Sequence, residues 1–116
     1  MMFIIGGNDG EAILKSVICI KADKNESVAL ADLCIARDEL SLAIDSRGWL
    51  YAVGGFGSNL KTCLRSIEAF DPRSGVWSVV AEMKYARRGC SATVIEDQLY
   101  IIGGFDGESY IQEMEM

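Results

Sequence analysis

Residues 50–55 read Leu50-Tyr51-Ala52-Val53-Gly54-Gly55, a short apolar run closed by two glycines, and the chain says this three times. The other copies are Met2-Phe3-Ile4-Ile5-Gly6-Gly7 and Leu99-Tyr100-Ile101-Ile102-Gly103-Gly104. The first glycines are spaced 48 and 49 residues apart, and an aromatic stands three residues before each of them. A polar, glycine-bearing turn follows every pair: Asn8-Asp9-Gly10, Phe56-Gly57-Ser58-Asn59 and Phe105-Asp106-Gly107. Beyond the turns, Ser16-Val17, Ser66-Ile67 and Glu113-Met114 open the next apolar stretch. A fixed period of this length is the signature of a repeat architecture.

Between the glycine pairs the chain reads as short strands. Leu42–Asp45 and Thr93–Ile95 lead through Ser46-Arg47-Gly48 and Glu96-Asp97-Gln98 into Trp49–Val53 and Leu99–Ile102 at hairpin distance. Ser66–Phe70 and Val76–Val80 are separated by Asp71-Pro72-Arg73-Ser74-Gly75. There the proline presets φ and the glycine accepts positive φ, so the segment is a turn. One period therefore holds four short antiparallel strands, which is one blade of a propeller. Leu30, Leu33 and Arg37 recur near helical spacing across Ala29–Leu42, but the repeat alignment makes this stretch non-helical. The glycine pair ends the second strand, where a side chain would block the adjacent backbone.

These residues resemble the kelch-repeat family. The middle copy carries nearly the whole motif: Gly54-Gly55, Ser66 to Pro72 including Glu68 and Asp71, Gly75-Val76-Trp77, Ala81-Glu82-Met83 and Arg87-Arg88-Gly89. The resemblance implies an all-β, incomplete kelch-type β-propeller of about 2.4 blades, where closed propellers have roughly 4–8. The division it suggests is 1–36 as a partial, degenerate blade (strands b, c, d), 37–84 as a complete blade and 85–116 as a partial one (strands a, b, c). In the first copy Ile18, Ile20, Lys21, Ala22 and Ser27 replace Glu68, Phe70, Asp71, Pro72 and Trp77. Serine for tryptophan removes on the order of 150–250 Å² of packing surface. Of the Arg-Arg-Gly segment, only Arg37 and Glu39 stand at the matching place. The count of strands leads us to expect a piece of a longer chain.

Composition narrows the function. The 116 residues are 50% apolar and 24% charged, with a net charge of −6, which argues against general nucleic-acid binding. Histidine is absent, which removes Ser-His-Asp and Cys-His catalysis and histidine metal ligation within this chain. Cys19, Cys34, Cys63 and Cys90 form no C-x-x-C pair, and no basic, apolar leader precedes them. They read as reduced, mostly half-buried strand residues in a cytoplasmic protein. No apolar run approaches the ~18 residues of a membrane span. Asp9/Glu11 and Asp106/Glu108 read as solvated turn acids, and no glycine pair opens a phosphate-binding helix. The reading is thus a non-enzyme without cofactor or metal.

The resemblance also implies where a protein partner would bind. In kelch adaptors, the arginine leading into strand a and the residue after the glycine pair often line the partner face. Here those positions are Arg88, with Arg87 as the alternative register, and Asn8, Phe56 and Phe105. The loops concerned are Asn8–Glu11, Phe56–Thr62, Met83–Arg88 and Phe105–Tyr110. An arginine there would favour an acidic or phosphorylated ligand. Gly6, Gly7, Gly54, Gly55, Gly103, Gly104, Trp77, Glu68 and Asp71 carry the structural motif. Within the family the chain most resembles BTB–kelch substrate adaptors of cullin-RING ubiquitin ligases, whose cullin contact runs through a BTB domain absent from these residues. Actin or cytoskeletal binding is the alternative that the resemblance leaves open.

Overall fold

A computed structural model describes residues 2–57, 62–112 and 114–115. Its strands are β1 (Met2–Ile5), β2 (Val17–Lys21), β3 (Glu26–Leu30), β4 (Arg37–Asp38), β5 (Ser41–Ile44), β6 (Leu50–Val53), β7 (Phe56–Gly57), β8 (Thr62–Cys63), β9 (Ser66–Asp71), β10 (Val76–Glu82), β11 (Ser91–Ile95), β12 (Gln98–Ile102) and β13 (Met114–Glu115). They form three successive antiparallel meanders, β1-β2-β3, β5-β6-β9-β10 and β11-β12-β13, plus a small ribbon, β4-β7-β8. The chain is all-β, as its period requires. Among the described residues the single helical element is a 3-10 turn at Ala22–Lys24, and the stretch from Ala29 to Leu42 holds the end of β3, the two-residue β4, the start of β5 and loop.

The registers superpose the repeats. Leu50 faces Phe70 and Ala52 faces Glu68; in the first sheet Met2 faces Ile20 and Ile4 faces Ile18; in the third Ile101 faces Glu115. Trp77 opposite Phe70 has its counterpart in Ser27 opposite Ile20. Gly54-Gly55 and Gly103-Gly104 follow the second strand of their sheets, whereas Gly6-Gly7 follows β1, the first strand of its three-stranded sheet.

Two apolar cores lie between neighbouring sheets. In the first, Val17 and Leu33 pack with Leu50, Ala52, Phe70 and Trp77, flanked by Phe3, Ile5, Leu40 and Leu42. Trp77 is 6% exposed, its ring lies 5.3 Å from that of Phe70, and its indole N–H donates to the Ala31 carbonyl at 3.0 Å. The side chain thus bridges from the last strand of the second sheet to the linker leaving the first. In the second core, Val53, Ile67 and Met83 meet Ile101, with Cys90, Ala92 and Leu99 around them.

The glycine pairs are where adjacent units cross. Gly54 has φ +61°, and a Cβ built there would overlap the Arg87 carbonyl oxygen. Gly55 N–H donates to that same carbonyl at 2.7 Å, and Arg87 N–H donates to Leu64 at 3.0 Å. One unit earlier, Gly7 N–H donates to Arg37 at 2.8 Å and Arg37 N–H to Leu14 at 3.0 Å. At Gly103 a Cβ would meet nothing within 4 Å.

The cysteines differ from expectation in place. Cys19 is buried in β2 and Cys63 in β8, but Cys34 and Cys90 lie in loops, Cys34 exposed. All four are free. Burial pushes the Cys34, Cys63 and Cys90 thiols up, which keeps them protonated at neutral pH.

Candidate functional site

Two arginines separated by one repeat hold the sheets together. Arg37 and Glu68 are both fully buried, and the guanidinium approaches the carboxylate at 2.8 Å through Nη2 and 3.1 Å through Nε. Its Nη1 donates to the carbonyls of Gly54 and Ser66, each at 2.9 Å. Glu68 also accepts the backbone N–H groups of Cys34 (2.6 Å) and Ile35 (3.1 Å), anchoring the linker that enters the second sheet. Buried charge persists only where it is paired and hydrogen-bonded in this way.

The next linker repeats the device. Arg87 is fully buried, donates from Nε to Glu115 at 3.0 Å and from Nη1 to Gly103 at 2.9 Å. Glu115 accepts the N–H groups of Lys84 and Tyr85. Glu115 stands at the register of Glu68, and the first sheet has Ile18 there. Asp71 does a different job: it accepts Arg73 N–H at 2.8 Å and so shapes the β9–β10 turn.

Arg87 and Arg88 are sequence neighbours whose side chains enter different surroundings. With Arg87 committed inward, Arg88 comes to the loop end of the sheets. Its guanidinium carbon sits 5.5 Å from the Phe56 ring centre and 5.1 Å from that of Phe105, a cation between two aromatic faces. Glu39 approaches Arg88 Nε at 3.4 Å. Tyr110 meets Phe105 in a tilted arrangement, ring centres 5.2 Å apart and planes at 56°, and is 83% exposed. Short bridges fix these positions: Asp38–Phe56–Cys63 in one unit, Arg88–Phe105–Tyr110 in the next, and Asn8–Ile13 in the first.

Arg88 forms a wall shared by two open cavities. One, of about 570 Å³, is lined by Glu39, Leu40, Cys90, Gly104, Phe105 and Tyr110 as well as Arg88. The other, of about 400 Å³, involves Phe56, Thr62, Cys63, Asp106 and Glu108. Asp106 accepts the N–H groups of Glu108 and Ser109, each at 2.8 Å, and these bonds hold its carboxyl below the usual range. Asp9 is held down in the same way by Ala12 and Glu11 N–H groups. Both acids are therefore turn-formers first.

Of the residues expected on a partner face, the structure brings Phe56, Arg88 and Phe105 together. It places Arg87 inside the sheet stack. Asn8 is exposed in the first unit, where its Oδ1 accepts Gly10 N–H at 2.7 Å, outside both cavities. Within the expected loop Phe56–Thr62, residues 58–61 lie outside the described residues, as do Met1, Glu113 and Met116. Sequence reasoning missed Glu39 and Cys63 as cavity residues, and it included Tyr110 only as the end of the loop Phe105–Tyr110. One signal was present: Glu39 stands where Gly89 stands one repeat later, and both have positive φ (50° and 66°).

Comparison with known proteins agrees with the repeat fold. The Kelch motif profile matches residues 48–84 and 86–116. Kelch-like protein 28 of Homo sapiens is 33% identical over 115 residues, 93% of this chain and 20% of that protein. The Influenza virus NS1A-binding protein homolog of Mus musculus is 39% identical over 74 residues, 64% of this chain and 11% of that protein. An F-box/kelch-repeat protein of Arabidopsis thaliana is 36% identical over 75 residues, 65% of this chain and 19% of that protein. The alignments span a fifth or less of each of these relatives.

Proposed function

Because this chain belongs to the kelch-repeat family, we propose that it acts as a non-enzymatic protein-recognition module whose ligand docks on the loop face around Arg88. The observation that carries the reading is the Arg88 guanidinium held between Phe56 and Phe105 at the boundary of two open cavities. Arginine and aromatic side chains at the centre of a desolvating patch supply most interface energy, and a pre-positioned guanidinium loses little freedom on binding. Loops carried on a rigid sheet scaffold are the usual bearers of such recognition. The name of the mouse relative, as a binder of a viral protein, accords with protein recognition by related chains.

In the finer form of this reading, the chain is the substrate-recognising part of a cytoplasmic adaptor for a cullin-RING ubiquitin ligase. The cullin contact would fall to a BTB domain outside these residues, and 1–36, 37–84 and 85–116 would be its blade segments. Among the described residues, no helix is long and apolar enough to cross a membrane.

The test compares capture of proteins from cell extract by the wild-type chain, by Phe56→Ala/Arg88→Ala/Phe105→Ala, and by Arg73→Ala in a turn at the other end of the sheets. The triple variant should weaken a captured partner by at least ~100-fold, with Arg73→Ala unchanged. Equal affinity in all three, with unchanged circular dichroism, would move the docking surface elsewhere. Co-sedimentation with filamentous actin distinguishes the cytoskeletal alternative.

A further inference from the structure

The loop face carries a charge opposite in sign to its central arginine, and from this we infer that its ligand is a basic peptide segment, bearing lysine or arginine side chains. The inference rests on the reading of that face as the docking surface and names the chemistry of what docks there.

Arg88 is a poor reader of an incoming anion. Phe56 and Phe105 flank its guanidinium at 5.5 and 5.1 Å, and Glu39 lies 3.4 Å from Nε. An acidic ligand would have to displace Glu39 or share the guanidinium with it. The remaining charge on the cavity walls is negative. Glu39 borders the larger cavity, Asp106 and Glu108 the smaller, and among the described residues Arg88 is the one basic residue lining either. Among the described lining residues, three carboxylates against one guanidinium leave two excess negative charges. Asp106 keeps its charge because backbone N–H groups of Ser109 and Glu108 favour its ionised form. The chain as a whole repeats the sign at −6.

The uncharged walls suit a cation as well. Tyr110 is 83% exposed and borders the same cavity as Glu39. A ring face beside a carboxylate binds an ammonium or guanidinium through both its quadrupole and its charge. The two cavities on either side of Arg88 each offer an acid at the wall, so one extended segment crossing Arg88 could place a basic side chain in each. Complementary charge of this kind raises the association rate and excludes acidic competitors. This reverses the expectation, drawn from Arg88 alone, of an acidic or phosphorylated ligand.

The experiment is a selection of random peptides, displayed on phage, against the immobilised full chain. Enriched peptides are then measured by fluorescence anisotropy on wild type, on Phe56→Ala/Arg88→Ala/Phe105→Ala and on Glu39→Gln/Glu108→Gln. Circular dichroism verifies each fold. The expected peptides are net positive, lose at least ~100-fold on the triple variant, and weaken about tenfold on the double variant and in high salt. Peptides lost on the triple variant but acidic, or indifferent to Glu39→Gln/Glu108→Gln, overturn the basic-ligand inference and leave the docking face standing. Peptides indifferent to the triple variant overturn the docking face itself, and a selection that enriches nothing overturns both.

Discussion

Glu68 shows how one side chain can decide a joint between sheets. It neutralises Arg37 and takes two backbone N–H groups from the linker. Glu68→Leu would leave the Arg37 guanidinium buried without its counter-ion, so the denaturation midpoint should fall by an amount equivalent to about 3–5 kcal/mol. A loss within ~0.5 kcal/mol, the range of an ordinary surface substitution, would show that the clamp is dispensable. At Gly54, alanine would meet both a positive φ and the Arg87 carbonyl; at Gly103, with φ +75° and nothing within 4 Å, it would meet the backbone strain alone. Gly54→Ala should therefore cost clearly more than Gly103→Ala, whose cost is about 1–2 kcal/mol. Equal denaturant midpoints for the two would mean that close approach does not matter at this crossing.

Glu115 makes one joint pH-sensitive. Burial works to raise its pKa, but the Lys84 N–H, the Arg87 guanidinium and the Tyr85 N–H outweigh burial and hold it below its ordinary value of 4.5. A folded-state pKa below the unfolded one gives stability that is present above the unfolded pKa and lost as pH falls through the folded one. Stability from this group should thus hold from neutral pH down to about 5 and decline below it. Thermal melts of wild type and Glu115→Gln across that range measure the effect. A wild-type melting temperature that falls no more steeply than that of the variant would refute it.

At the scale of elements, the decisive contact is Trp77 between the first two sheets. Trp77→Ala removes its packing on Val17, Leu50 and Phe70 and its hydrogen bond to Ala31, and should cost about 3–5 kcal/mol in urea denaturation. An unchanged midpoint would remove it from its role as the wedge. Much of this level was legible beforehand. The Gly-Gly period announced sheets of short strands, and Trp77 and Glu68 stood at motif positions. The linkers were less legible: Cys34 reads as a strand residue and sits in a loop, because its backbone N–H is claimed by Glu68, which is 34 residues away. No local pattern encodes a partner at that separation.

At the scale of the molecule, both end sheets expose apolar side chains. Met2 (56% exposed), Ile4 (51%) and Val28 (40%) lie on the first, and Ile102 (51%) and Met114 (55%) on the third. Contiguous apolar patches of several hundred Å² promote association. Light scattering of this 116-residue chain should show mass rising with concentration, and Ile4→Lys/Ile102→Lys should lower it. A mass that stays at one chain across the concentration range would show that these faces do not self-associate.

The sequence by itself determined the all-β architecture, the strand order within each sheet and the glycine crossings. Those features depend on short-range periodicity and on turn chemistry, which neighbouring residues write directly. It also named Phe56 and Phe105, which share one repeat register, and Arg88, which leads into the next sheet, as loop residues. Only the tertiary structure decided between Arg87 and Arg88. Arg87 is the one that turns inward, because Glu115, 28 residues away, and the Gly103 carbonyl accept its guanidinium. The sign of the loop face was likewise a tertiary outcome. Glu39 belongs to the second repeat and Asp106 and Glu108 to the third, and stacking the sheets brings all three to cavities that share Arg88.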